Sequence, residues 1–269
     1  MSNEPVMDFE LMGKLVLVTG GSRGIGKAIA LALAEQGADL VICGRNQDTL
    51  NNTVKAIQCK GVNAWGFQAD VSKINEIEML FQKISAINRG VNILVNNAVT
   101  STSAPFNELT DEEFVYHIEV KLMAYIRVAR IALEHMKKIG NGRIVNIGGM
   151  TARIVAPFRM TNGVTNAGVA NFTKQFANYA AQFDVNVNCV HPGYTATDRI
   201  MQIFKREALE TEADLNAILK KRTADIPLGR LIAPEDIASA VLFFCSPLSK
   251  MITGQCIAVD GGSGEAISY

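Results

Sequence analysis

Short apolar runs alternate along this chain with longer segments of helical period. Seven runs rich in Val, Ile and Leu predict β-strands: KLVLVTG, ADLVICG, NAWGFQAD, VNILVNN, GRIVNIGG, VNVNCVHPG and QCIAVDGG. Because the strands lack internal polar alternation and helical segments separate them, they are expected to be parallel and covered on both faces. The pattern predicts an α/β fold with a seven-stranded, parallel, doubly wound sheet.

Length and composition fit one domain without a highly charged partner. The 269 residues carry 26 basic and 26 acidic side chains, so no net field attracts nucleic acid or an anionic membrane. No composition shift marks a boundary, and residues 1–269 are expected to form a single domain. The opening MSNEPVMDFELMGK has no positive region followed by an apolar one, and no apolar run of about eighteen residues occurs. The expected location is the cytoplasm.

The cysteines are the candidate metal ligands that the sequence offers. They lie in separate, mostly apolar segments, with an odd total and no close pair at metal-ligand spacing. Buried, reduced thiols are expected, and no metal site is predicted. The five residues are Cys43, Cys59, Cys189, Cys245 and Cys256.

A glycine-rich segment, TGGSRGIG, follows the first predicted strand and opens a helical segment. Glycines at positions 20, 24 and 26 permit a tight turn and a close approach of the backbone to a ligand. The unpaired N–H groups at the start of a helix can bind a pyrophosphate. A strand before the loop and a helix after it make this pattern typical of a dinucleotide site.

The end of the second predicted strand bears on which dinucleotide is bound. An acidic residue there accepts the free ribose 2′-hydroxyl of NAD(H), whereas a basic residue suits the 2′-phosphate of NADP(H). This strand ends ICGRN, with Arg45 and no acid, and Arg23 lies in the glycine loop. NADP(H) is therefore favoured over NAD(H), the alternative being that each arginine is a solvated surface charge.

Further motifs are spread over nearly the whole chain. They are ADV at 69–71, NNA at 96–98, GRIVNI at 142–147, HPGYTATD at 191–198, PLGR at 227–230, PEDIA at 234–238 and TGQCIAVDGG at 253–262. Together with TGGSRGIG they resemble the short-chain dehydrogenase/reductase family. The resemblance implies a single-domain Rossmann fold, usually a homotetramer or homodimer, that transfers a hydride between a nicotinamide and a carbonyl or alcohol.

The resemblance also implies which residues line the cofactor. Residues of ADV contact adenine, those of NNA line the cofactor, and those of HPGYTATD lie at its nicotinamide end. With the glycine loop and the two arginines, the implied set is Gly20, Ser22, Arg23, Gly24, Ile25, Gly26, Arg45, Asp70, Val71, Asn97, Ala98, Pro192, Gly193, Thr195 and Thr197.

The catalytic positions of the family carry other residue types here. Alignment of VNIGGM and NAGVANFTK places Gly149 at the family's Ser, Asn162 at its Tyr and Asn166 at its Lys. Lys121 falls at the family's Asn. Because the Tyr hydroxyl protonates the developing alkoxide in this family, and an amide cannot release a proton at neutral pH, the usual mechanism is expected to be absent.

Lys121 is the one unexpected titratable group among these positions. With Phe114, Ile118 and Tyr125 it forms a stripe at helical spacing, so it can point inward as a relocated acid or electrostatic anchor. Alternatively, its stem covers apolar surface while its charge reaches solvent or a subunit interface. The second interpretation is the one expected. His117, on the same segment, is expected at the surface or an interface.

Three polar residues complete the catalytic candidates. Asn162 and Asn166 lie four apart and can hydrogen-bond the nicotinamide ribose, the substrate or each other, or can form a polar pair satisfied within the fold. Thr151 can supply a hydroxyl to the site, although an exposed position at the strand end is the expectation.

A helical segment at about 195–226 predicts a lid over a small, moderately apolar substrate.

Three hypotheses follow. The favoured one is an NADP(H)-binding enzyme with an altered mechanism, either a reduction with another proton source or a non-redox reaction in the same pocket. The second is a catalytically silent sensor, or a partner subunit in a hetero-oligomer with an active relative. The third is an ordinary reductase whose catalytic residues the alignment misplaces, which the missing residue types disfavour.

Overall fold

Seven parallel strands form one sheet at the centre of the protein. A computed structural model describes residues 8–87 and 90–264; the remaining residues of the expected 1–269 domain lie outside the described part. The strand order is β3-β2-β1-β4-β5-β6-β7, as a doubly wound sheet requires. The strands are β1 Leu15–Thr19, β2 Asp39–Gly44, β3 Ala64–Gln68, β4 Ile93–Asn96, β5 Gly142–Ile147, β6 Val185–Pro192 and β7 Cys256–Val259.

Helices cover both faces of the sheet, which confirms the predicted single-domain Rossmann fold. They are α1 Gly24–Glu35, α2 Gln47–Gln58, α3 Ile74–Ala86, α4 Asp111–His117, α5 Ala124–Ile139, α6 Met160–Ala180, α7 Asp198–Glu210, α8 Leu215–Thr223 and α9 Pro234–Cys245. Successive side chains of β1 enter opposite cores, because a strand alternates its side chains. Leu15 and Leu17 pack with α3, α5 and α6, whereas Val16 and Val18 pack with α1 and α9.

The segment after Thr110 contains two helices joined by an irregular turn. Thr110 caps α4 through a capping box with Glu113. Residues Ile118–Met123 then form a π-helical turn before α5 begins. Such turns displace the side chains that follow from the regular helical stripe, and they occur frequently at functional sites. This turn contains Lys121.

The predicted lid region contains two helices, α7 and α8. Phe204 and Ala208 of α7 pack with Ile218 of α8 in a small apolar cluster separate from the two main cores. Arg222 bonds Glu207 across the pair at 2.7 Å. The lid region therefore has a small apolar core of its own, separate from the two cores that flank the sheet.

Across the described residues, the helices are too short or too polar for any to cross a membrane.

Candidate functional site

The glycine loop joins β1 to α1 in a conformation that other residues would strain. Gly20 and Gly24 have φ values of +64° and +53°, in the left-handed region that favours glycine. A Cβ built at Gly26 would lie 2.3 Å from the Gly20 carbonyl oxygen. Among the described residues, no side chain caps the start of α1, and the first turn of α1 holds no acidic residue. The N–H groups of that turn can therefore bind a phosphate. The loop fits the pyrophosphate of a dinucleotide.

Asn97, at the end of β4, holds this loop in place. Its side-chain amide donates to the carbonyl oxygens of Thr19 and Gly20 at 3.0 and 3.1 Å. The Thr19 hydroxyl accepts hydrogen bonds from the backbone N–H groups of Asn97 and Ala98 in return. The contacts in the structure make Asn97 a positioning residue for the glycine loop.

The arginines predicted to select the cofactor both lie exposed near the start of α1. Arg23 immediately precedes α1, and Arg45 follows β2. A Cβ built at Gly44 would lie 3.3 Å from the Ser22 hydroxyl oxygen, so the two segments adjoin. Two guanidinium groups on adjoining segments can bind one phosphate.

The segment that follows β6 also contacts the glycine loop. A Cβ built at Gly24 would lie 3.3 Å from Cγ2 of Thr197, which also caps α7. Thr195 donates its hydroxyl to the Gly193 carbonyl oxygen at 3.0 Å. A Cβ at Gly193 would lie 2.8 Å from Cα of Asp260. The segment is thus held tightly, and the lid region begins beside the loop.

Asp70 and Val71, implied as the adenine contacts, follow β3. Val71 is buried, and the Asp70 carboxylate accepts hydrogen bonds from the Ser72 backbone and hydroxyl at 3.0 and 2.8 Å. The Asp70 carboxylate therefore shapes this turn, and a role at the adenine remains a prediction.

Gly149 and Asn166 lie in direct contact at the carboxyl end of β5. A Cβ built at Gly149 would lie 2.6 Å from Nδ2 of Asn166, so the asparagine fills the space that a serine side chain would need. Nδ2 donates to the Thr151 hydroxyl oxygen at 2.8 Å. Among the described residues Oδ1 of Asn166 has no hydrogen-bond partner although it is buried. A buried acceptor without a partner is costly and is a feature of a ligand site.

Asn162 lies one turn earlier on α6. Its side-chain oxygen accepts a hydrogen bond from the Ser101 hydroxyl at 3.4 Å. The two asparagines therefore bond Ser101 and Thr151, and no hydrogen bond between their side chains is present in the described part of the chain. Thr151 is half-buried and bonded, contrary to the expected exposed position.

Lys121 points into the protein, so the expectation that its charge reaches solvent or an interface is wrong. Its side chain is buried, and Nζ donates to the Gly148 carbonyl oxygen at 2.9 Å. Tyr125, one turn later, donates to the Ile147 carbonyl oxygen at 3.1 Å. Both donors satisfy carbonyl groups where β5 ends, and the sequence could not show that these carbonyl groups lie within reach.

Within residues 8–87 and 90–264, the ammonium group of Lys121 has no carboxylate counter-ion. Burial lowers the pKa of Lys121 from 10.5 to about 8. A buried cation with a lowered pKa, bonded to the residue that precedes Gly149 and its contact with Asn166, is a candidate functional group.

A cationic rim that the sequence did not predict borders these residues. Arg199 of α7 donates to the Ser101 carbonyl oxygen at 2.9 Å, and Ser101 in turn bonds Asn162. Burial lowers the pKa of Arg199, and so do the neighbouring positive charges of Arg159 and Arg23. Within the described ranges none of the three forms an ion pair with a carboxylate. The rim can attract an anionic group.

His117 also differs from its expected place at the surface or an interface. It is buried, and Nε2 lies 3.0 Å from the Thr102 hydroxyl oxygen. Because the loop that carries Ser101 and Thr102 folds over the end of α4, the histidine is enclosed.

Three of the cysteines are free and buried as predicted: Cys43, Cys189 and Cys245. Cys59 is instead exposed, and Cys256 is partly so. The ligand atoms of Cys189, His191 and Cys256 all lie within 4.8 Å of one another. The sequence showed no such cluster because β6 and β7 bring together residues that are far apart in the chain.

Gly149→Ala is expected to destabilise the protein by about 1–3 kcal/mol, because the new methyl group would displace Asn166 from Thr151. Urea unfolding measures this loss, and Asn166→Ala in the same chain should restore most of it. The matched control is Gly163→Ala, whose Cβ would meet an ordinary contact of 3.6 Å with the Thr151 carbonyl oxygen. Equal stability of the two alanine variants would contradict the close contact.

The fold and the glycine loop define a Rossmann protein with a phosphate-binding loop of the dinucleotide type. A family model described as "Enoyl-(Acyl carrier protein) reductase" matches residues 20–264. The chain belongs to the short-chain dehydrogenase/reductase family.

Relatives and solved structures agree with this membership. A tropinone reductase homolog of Arabidopsis thaliana is 34% identical over 94% of this chain and 93% of its own length. The 3-oxoacyl-(acyl-carrier-protein) reductase FabG of Aquifex aeolicus is 35% identical over 95% and 99%. The structure of L-sorbose reductase from Gluconobacter frateurii, complexed with NADPH and L-sorbose, has a TM-score of 0.94 at 28% identity, covering 97% of this chain and 100% of that one.

Proposed function

We propose that this protein is an NADP(H)-dependent enzyme that acts on a small, moderately apolar carbonyl or hydroxyl compound, with Lys121 as its proton source. The observation that carries the proposal is the buried Lys121 ammonium group, which bonds Gly148 next to the position of the family's serine. An uncompensated charge in a protein interior is costly, and a stable fold keeps one where it serves a ligand or a reaction.

The glycine loop and the two exposed arginines would hold the cofactor. The free N–H groups at the start of α1 bind its pyrophosphate, and Arg23 and Arg45 bind its 2′-phosphate. When bound, the nicotinamide supplies or accepts the hydride. Two of the structures similar to this protein, the L-sorbose reductase and a variant of actinorhodin polyketide ketoreductase, are described as complexes with NADPH, which supports the choice of cofactor.

Three side chains would bind and protonate the substrate oxygen. Thr151 accepts its hydrogen bond from Asn166, so its own hydroxyl proton stays available to a substrate oxygen. Asn162 accepts from Ser101, which leaves its amide N–H groups to donate. Lys121, with its pKa near 8, is mostly protonated at neutral pH and releases a proton more readily than an ordinary lysine. The proton passes directly or through one water.

The cationic rim favours substrates that carry an acidic group. Arg159 and Arg199 lie at the side of the site where α7 begins, next to the loop that holds Ser101. A guanidinium group binds a carboxylate through charge-assisted hydrogen bonds. The apolar side of α7 and α8 would cover the rest of the compound.

Turnover of a carbonyl panel tests the proposal. Pairs of small ketones, each as a keto acid and as its neutral methyl ester, are mixed with the protein and NADPH, and the loss of nicotinamide absorbance is followed. Turnover of any pair member supports the proposal, with the acid faster than its ester. NADPH binding without turnover of any compound would instead support a silent cofactor-binding sensor or partner subunit.

NADPH is expected to bind about 10- to 100-fold more tightly than NADH, because one or two charge-assisted hydrogen bonds to the 2′-phosphate contribute about 1.5–3 kcal/mol. Arg23→Ala with Arg45→Ala should remove this preference and leave NADH binding unchanged. Fluorescence titration of the reduced cofactors measures both affinities. Arg130→Ala, at an exposed position of α5, is the control, and equal affinities in the unchanged protein would reject the assignment.

A further inference from the structure

Cys189 and Cys256 face each other across neighbouring strands. They are direct partners in the parallel register of β6 and β7, so their Cα atoms are separated by about one strand spacing, roughly 4.8 Å. Their sulfur atoms lie within 4.8 Å of each other on the same face of the sheet. A disulfide needs a Cα separation of about 4.4–6.8 Å, and this pair satisfies that requirement.

His191 lies beside both sulfur atoms with its tautomer fixed. The backbone N–H of Gly149 donates to Nδ1 at 3.0 Å, so Nδ1 is an acceptor and the proton of the neutral ring is on Nε2. Nε2 lies 3.9 Å from Sγ of Cys189, and a ring nitrogen of His191 lies within 4.8 Å of Sγ of Cys256. The imidazole therefore directs an N–H group toward the thiol pair.

The surroundings of the two thiols shift their pKa values in opposite directions. The hydrogen bond from Cys189 holds the pKa of Cys256 well below its usual range, with His191 and Arg153 acting in the same direction. The same hydrogen bond, together with burial, raises the pKa of Cys189. Both shifts favour Cys256 as the more acidic of the two thiols, and Cys256 is also the less buried one. This is the arrangement of an attacking sulfur and a resolving sulfur.

A metal ion fits this cluster less well than a disulfide does. Zinc binding would need a lone pair on Nε2, and the bond from Gly149 leaves a proton there. The buried ammonium of Lys121 is also close enough to influence the Cys189 thiol, and it would repel a cation. The group therefore acts through its sulfur atoms.

We propose that Cys189 and Cys256 form a redox-active pair that a peroxide converts into a reversible disulfide. The Cys256 thiolate attacks one peroxide oxygen; an S–O bond forms, the O–O bond breaks, and the leaving oxygen takes a proton and departs as water or an alcohol. Cys189 then attacks the resulting sulfenic sulfur; the S–S bond forms, the S–O bond breaks, and a second water leaves with the Cys189 proton. Two thiols are oxidised and one peroxide is reduced.

Hydrogen peroxide tests the proposal on the full chain. The protein is treated, remaining thiols are alkylated, and non-reduced peptides are mapped by mass spectrometry. A cross-linked pair containing Cys189 and Cys256 is expected, and a thiol reductant should remove it. The control variant Cys59→Ser, which lacks the exposed cysteine, should give the same cross-link. Oxidation of Cys59 alone, with Cys189 and Cys256 still alkylated after unfolding, would overturn the proposal.

Two variants test the attacking role of Cys256 and the role of His191 separately. Cys189→Ser should leave a sulfenic acid on Cys256 that a dimedone-type reagent traps, and this product does not depend on any enzymatic activity. His191→Gln should slow disulfide formation about tenfold near pH 4 and hardly at all near pH 7, because raising the Cys256 pKa from about 5 by about one lowers the thiolate fraction tenfold only below that pKa. An unchanged rate and pH profile would show that the histidine is only structural, and a Cys189→Ser protein inert to the trap would reject the attacking role of Cys256.

Discussion

Lys121→Met is expected to lower kcat/KM for NADPH-dependent turnover by about 10²- to 10⁴-fold, the usual loss when a general acid is removed. Methionine has a similar length and no charge, so the buried site keeps its packing. Steady-state kinetics on the panel compound with the highest turnover measure the loss. NADPH affinity should stay unchanged, because the Lys121 ammonium group bonds Gly148 at the end of β5 and is not part of the glycine loop.

The pH profile distinguishes a proton source from a structural lysine. Turnover in the unchanged protein should fall as the pH rises through about 8, since the acid form of Lys121 is lost there. Lys174→Met, at an exposed position of α6, is the matched control and should keep both the rate and the profile. A Lys121→Met protein with full activity would exclude the proposed mechanism.

The fold could be predicted because its signals are local. Each buried strand is an apolar run of a few residues, and the glycine loop with its neighbouring strand and helix occupies one short stretch. Gly20 and Gly24 have positive φ values, which favour glycine whatever the rest of the chain does. These features need no knowledge of distant parts of the chain.

The candidate catalytic site could be located in the sequence but not assembled from it. The π-helical turn at Ile118–Met123 sets the direction of Lys121, and nothing in the apolar pattern indicates such a turn. The contact between Gly149 and Asn166 depends on how α6 packs on β5. Likewise, the pairing of Cys189 with Cys256 depends on the order of the last two strands. Each of these is a tertiary contact between distant segments.

The cost of burying Lys121 leads to a second prediction, on stability. The pKa of Lys121 is near 8 in the folded protein and 10.5 when the side chain is exposed. Below pH 8 both states hold the proton, and the folded state bears the full burial penalty, about 3 kcal/mol for this difference. Between pH 8 and 10.5 the unfolded state binds more protons, so the free energy of unfolding rises with pH over that window.

The unchanged protein should therefore gain about 2–3 kcal/mol of unfolding free energy relative to Lys121→Met between pH 7 and pH 10. Other titrating groups are common to both proteins and cancel in the difference. The methionine also leaves the Gly148 carbonyl without its donor, which costs about 1–3 kcal/mol at every pH. The two effects oppose each other near pH 7, so the melting temperatures should nearly coincide there, and only the pH dependence exposes the buried charge.

Urea unfolding at a series of pH values measures this change in the unfolding free energy. A difference that stays constant from pH 7 to pH 10 would mean that Lys121 has an ordinary pKa, and that its ammonium group reaches solvent.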